Sequence, residues 1–130
     1  MLLLVPDLFF LTRIETAARR AGLRVIRAAD APSALAAARR ERPAGAVVDL
    51  GAPESAGPMR FLTGMLGDPA LAGIPTLGFL SHVRADLAQA ARAAGCGTVV
   101  AKSALSEDTA GLLTRLVEGA TALDSAGEEE

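Results

Sequence analysis

The chain has 130 residues, 51% hydrophobic and 22% charged, which suits one globular domain and leaves no room for a second with its own core. Thirteen Lys and Arg stand against fifteen Asp and Glu; with the terminal Glu128, Glu129 and Glu130 set aside the body carries a formal charge of about +1, so no concentrated basic face for nucleic acid is visible. One cysteine, Cys96, excludes an internal disulfide framework and a Cys-based structural zinc site, and one histidine, His82, leaves a single candidate for imidazole chemistry.

Short β-branched or Leu-rich runs alternate with longer Ala-rich stretches, the pattern of repeated βα units around a parallel sheet. Leu2–Val5 reads as a buried strand. The apolar opening from Leu2 to Leu11 is interrupted by Pro6 and Asp7, is too short to span a bilayer and has no positive region before it, which points to a soluble, cytoplasmic protein. A helix from about Leu8 to Ala21 ends at Gly22, with one of Phe9 and Phe10 packing on the sheet and the other free to be exposed. Arg24–Ala28 is a second strand. Asp30 caps the next helix, which carries Pro32 in its first turn, turns Leu35, Ala36 and Ala38 inward and stops at Arg42 and Pro43.

Ala46–Leu50 is the third strand, followed by a Gly-, Pro- and Ser-rich loop over Gly51–Pro58 and a helix around Met59–Leu66. Ile74–Leu80 is strand four, and a helix over Val83–Ala94 follows from the spacing of Val83, Leu87, Ala90, Ala91 and Ala94. Cys96 sits between two glycines as a small residue in a tight turn. Thr98–Ala101 is strand five. A last helix near Ser106–Ala120, capped by Ser106, places Leu112, Leu113, Leu116 and Val117 on one face. The domain is expected to span 1–121, with 122–130 a polar, acidic and disordered tail.

Five βα steps in this length fit an α/β fold: a five-stranded doubly wound parallel sheet of order 2-1-3-4-5, a flavodoxin-like three-layer sandwich. Ligands of such sheets bind beyond the carboxyl ends of the strands, at the switch point between strands one and three. Asp7 and Asp49 lie there. Asp49 ends the apolar run Ala46-Val47-Val48-Asp49, Ser81 and His82 follow strand four, and Lys102 ends strand five. Lys102 is the only lysine, while the other twelve basic residues are Arg and 28 residues are Ala. A lysine that persists in an Arg- and Ala-rich composition points to chemistry suited to a compact ammonium. Together these groups suit phosphoryl transfer: a carboxylate nucleophile, acids able to hold Mg²⁺, and a hydroxyl and an ammonium for the transferred oxygens.

From about Met1 to Leu116 the chain resembles the receiver domain of bacterial response regulators, the CheY-like family. The resemblance rests on Ala28-Ala29-Asp30-Ala31-Pro32-Ser33-Ala34-Leu35, on Asp49-Leu50-Gly51-Ala52-Pro53, and on Ala93-Ala94-Gly95-Cys96 with Val99-Val100-Ala101-Lys102. It implies that Asp49 is the phospho-acceptor, with Lys102 sensing the aspartyl phosphate. It also implies Mg²⁺ held by Asp7 and Asp49, a histidine kinase or phosphotransfer protein as donor, and a downstream protein partner.

The chain also departs from the family. Pro6 stands in one of two adjacent acidic positions, Asp7 falls one step off the usual metal ligand, and the hydroxyl position falls on Leu80 or, with a slip of one residue, on Ser81, the preferred choice. Val99 replaces the switch aromatic. Ser103 replaces the Pro after the Lys, which permits an ordinary trans peptide.

The expected function is a stand-alone signalling domain of a two-component phosphorelay, not an enzyme, that acts by partner binding; an oligomer is compatible with it. Its alternative is a pseudo-receiver that binds partners without phosphorylation. A flavodoxin-like small-molecule site has little support, because Pro6-Asp7-Leu8-Phe9 stands where a Gly-rich phosphate loop would follow strand one. Blander readings are an N-cap for Asp7 and Asp30, a bond from Asp49 to a nearby backbone amide, and a surface position for Lys102. His82 is read as a loop or cap residue.

Overall fold

The computed structural model describes residues 1–81 and 84–118; His82, Val83 and the 121/122 boundary lie outside them. The strands are β1 (Leu2–Leu4), β2 (Ile26–Ala28), β3 (Ala46–Asp49), β4 (Thr76–Leu80) and β5 (Thr98–Ala101). Between them run α1 (Leu8–Arg20), α2 (Ala31–Glu41), α3 (Pro58–Leu66) and α4 (Ala85–Ala93), and α5 (Lys102–Glu107) leads into a further helix over 109–118. All strand pairs are parallel and the order is β2-β1-β3-β4-β5. The expected α/β doubly wound sheet is observed, and it has the CheY-like, flavodoxin-like topology.

Alternation along the central strands builds two cores. Leu2, Leu4, Ala46 and Val48 face the α2–α3–α4 side, whereas Leu3, Val5, Val47, Leu77 and Phe79 face α1 and the C-terminal helices. The first side is filled by small residues, Ala31, Ala34, Ala37, Ala38, Ala91 and Ala94, around Phe61 and Met65. The second takes Phe10, Ile14, Leu105 and Leu113. Ile14 is fully buried, so truncation to Ala would remove about 2–5 kcal/mol of stability. Gly78 lets the first side close: a Cβ there would lie 2.7 Å from Leu50 Cδ1. Gly22, at φ 79°, ends α1 in the left-handed conformation expected of it, and the amide of Leu23 returns to Ala18 O.

Two local expectations are corrected. Ala36 faces solvent, and Ala37 takes the inward place beside Ala34 and Ala38, because the buried stripe of α2 runs i, i+3, i+4 from Ala31 and Ala34. The C-terminal helix does not begin at Ser106. With Ser rather than Pro at 103 the helix starts at Lys102 and buries Leu105, so Ser106 lies inside it. The break comes at Asp108 (φ −145°, ψ 58°), whose Oδ1 accepts from Gly111 N at 3.1 Å and whose carbonyl accepts from Leu112 N, so Asp108 caps the next helix.

Candidate functional site

The loops after β1 and β3 and the junction of β5 with α5 meet at the carboxyl edge of the sheet. Asp7 is the N-cap of α1: its Oδ1 accepts from Phe9 N at 3.0 Å and Phe10 N at 3.3 Å. Its other oxygen, Oδ2, lies 3.7 Å from Lys102 Nζ. The cap reading is therefore correct, and it leaves one face of the carboxylate turned to the cleft. Pro6 beside it is exposed and adds no side-chain ligand.

Asp49 closes β3 half-buried, with Oδ1 accepting from Gly51 N at 3.0 Å. This is the strand-end amide bond of the blander reading, and among the described residues Oδ2 accepts no hydrogen bond. Burial pushes the Asp49 carboxyl above its usual range; the Gly51 amide and the Lys102 ammonium pull it back, and the Asp7 charge pushes it up further. Burial, the largest of these effects, leaves the carboxyl raised. Ala56 is buried in the loop that follows, and Gly57 takes the left-handed conformation at the start of α3.

Lys102 is about one-third exposed, and its Nζ sits 4.7 Å from the centroid of the Phe10 ring. Phe10 in turn stacks on Phe79 of β4, with centroids 5.0 Å apart. Ser81 follows β4 at the height of Lys102, since Leu80 pairs with Ala101, but it is exposed and makes no bond to the other three. Leu80, the other candidate for the hydroxyl position, is buried in the α2–α3–α4 core. Asp49, Asp7 and Lys102 are therefore brought together, and Ser81 stands at the rim. Asp30 is spent on capping α2 through Ser33 N, which holds its carboxyl below the usual range. Cys96 is buried beneath the sheet, with its thiol pushed up by burial.

The sequence asks only that one of Phe9 and Phe10 pack on the sheet and gives Phe10 no place at the site. The available signal was its place three residues after Asp7, one helical turn from the cleft.

Asp7 and Asp49 both meet Lys102 at this edge, and Mg²⁺ is held by one or two carboxylates with waters completing its shell. Among the described residues no cluster of three His, Cys, Asp or Glu side chains occurs, so any such ion would rest on Asp7 and Asp49 alone.

No protein-family model matches the sequence, and no curated protein matches it. Solved structures do match in three dimensions. A CheY-like response regulator receiver domain protein from Methanospirillum hungatei superposes with a TM-score of 0.78 at 18% identity, over 93% of this chain and 94% of the other. Chemotaxis protein CheY4 from Vibrio cholerae gives 0.78 at 22% identity, over 88% and 95%. The receiver domain of a sensor histidine kinase from Pseudomonas aeruginosa, which has a magnesium ion coordinated in its active-site cleft, gives 0.77 at 21%, over 90% and 95%. The chain has the receiver-domain fold.

Proposed function

We propose that this chain is a receiver-type signalling domain of a cytoplasmic two-component phosphorelay, phosphorylated on Asp49 and acting by binding a downstream protein rather than by turnover. The observation that carries the proposal is the meeting of Asp49, Asp7 and Lys102 at the β1/β3 switch point of a receiver fold. In this reading an Asp49 carboxylate oxygen attacks the phosphorus of a donor on a histidine kinase or phosphotransfer protein, and the bond from phosphorus to the donor breaks. Burial keeps that oxygen basic, hence nucleophilic. Lys102 meets the charge on the transferred oxygens, and Ser81 offers a hydroxyl from the rim. Asp7 and Asp49 would hold Mg²⁺, which when bound offsets the charge of acceptor and phosphoryl group.

A second reading is a pseudo-receiver that binds its partner unmodified. It is favoured by Asp7, whose carboxylate is shared between the α1 cap and Lys102, and by Pro6, Val99 and Ser103 in positions where receivers carry other groups.

Intact-protein mass measured after incubation with Mg²⁺ and acetyl phosphate separates the two. A gain of one phosphoryl group that is absent in Asp49→Asn supports the first reading. No gain under conditions that modify an ordinary receiver moves the assignment to the second.

A further inference from the structure

Lysine side chains at a protein rim are ordinarily mobile, and an ammonium on four methylenes can sample a wide volume of solvent. Lys102 is held from two sides. Asp7 supplies charge at 3.7 Å, and the face of Phe10 lies 4.7 Å from Nζ. The ring itself cannot swing away: Phe10 is 4% exposed and stacks on Phe79, which is 1% exposed in the centre of the sheet. A ring quadrupole fixed in this way attracts the ammonium, the more so as the cation loses water. The neighbouring Phe9, 76% exposed, shows that aromatic bulk at this turn is not by itself enough to pack; only Phe10 faces the cleft.

We propose that Phe10 is the positioning residue for the cation of this site: its ring, braced by Phe79, holds the Lys102 ammonium at the rim so that its charge falls on Asp49 as well as on Asp7. Asp7 alone would draw the ammonium toward the start of α1. The ring beneath it adds a second anchor and fixes the height of the charge above the sheet. The inference deepens the reading of Asp49 as acceptor, yet its physical content, a lysine seated on a ring and felt by a neighbouring carboxylate, can be read without any phosphorylation. The charged groups facing Asp49 from the described elements are Asp7 on the β1–α1 loop and Lys102 at the β5–α5 junction. Removing the ring leaves Asp7 in place and lets Lys102 wander, so Asp49 loses its one attractive charge.

The test uses the full chain and NMR. Lys102 is the only lysine, so its side-chain signals are unique. In the unmodified protein its ε-methylene protons should lie upfield of the ordinary lysine range, shifted by the ring current of Phe10. In Phe10→Leu, which keeps the bulk and loses the ring, that shift should vanish and the order parameter of the Lys102 ε-methylene should drop, as an ammonium released from the ring regains its motion. Phe10→Tyr should restore both.

Unshifted Lys102 resonances in the unmodified protein would overturn the proposal, and this measurement needs no variant to fold. A Lys102 order parameter unchanged in folded Phe10→Leu, or unrestored in Phe10→Tyr, would overturn it too by reducing Phe10 to packing. Failure of Asp49 to accept a phosphoryl group would instead sink the acceptor reading and leave these signals as they are.

Discussion

The two edges of the sheet treat their acids in opposite ways. At the edge where the strands begin, α1 and α2 end in Arg19, Arg20, Arg39 and Arg40, and acids are answered directly: Glu41 meets Arg24 at 3.2 Å and Asp68 meets Arg39 at 3.2 Å. The Ala70 amide and Arg39 hold the Asp68 carboxyl below its usual range. At the edge where the strands end, Asp49 is half-buried, pushed upward, and shares one ammonium with Asp7. A carboxyl raised mainly by burial, on a fold whose other shifted acids are held down by partners, makes the second edge the candidate place of chemistry, in keeping with the role proposed for Asp49.

The comparison breaks most severely at Phe79. Phe79→Ala removes the brace under Phe10 and empties the centre of the sheet, at a cost of about 3–5 kcal/mol measured by urea unfolding. A loss below about 1 kcal/mol would mean that the ring is not the floor described.

Asp49→Asn sharpens the contrast through its sign. Because the folded state raises the carboxyl of Asp49, the native protein binds that proton more tightly than the unfolded chain does. Stability from this group is complete below its unfolded pKa and is lost as pH rises through the folded one. The amide should therefore raise the melting temperature at neutral pH, and the two proteins should converge in acid. A lower melting temperature for Asp49→Asn at pH 7 would contradict the direction.

Asp30 lies on the same edge as Asp49 but is satisfied as a cap, and it runs the other way. Its lowered carboxyl contributes stability above its unfolded pKa that disappears as pH falls, so Asp30→Ala should lower the melting temperature at pH 7 and do little in acid. The drop should be smaller than that of Phe79→Ala, and a larger one would show that the cap has a second role. Least affected is the opposite edge: Arg24→Ala breaks an exposed pair with Glu41 and should change stability by no more than about 1 kcal/mol.

The sheet could be read from the sequence because the central strands are apolar runs, buried on two faces, and each helix carries a stripe, buried on one. Asp49 and Lys102 could be read for the same reason, as charges that end such runs. The C-terminal break could not. Ser106 and Asp108 are both good caps, and the choice fell to the burial of Leu105, which only tertiary packing decides. One of Phe9 and Phe10 was legible as core, but neither which one nor its role as a platform, because the partner Phe79 lies sixty-nine residues from Phe10 in sequence and touches it only once the sheet is formed.

The border strands carry one more consequence. β2 has three residues and β5 four, both only partly buried, and Arg27 in the middle of β2 is tied back to Glu15 of α1 at 2.6 Å. Such short margins, the β2 one guarded by charge, offer an incoming strand few unpaired amides and carbonyls, so the sheet is a poor template for a sixth strand and resists growing edge to edge into aggregates.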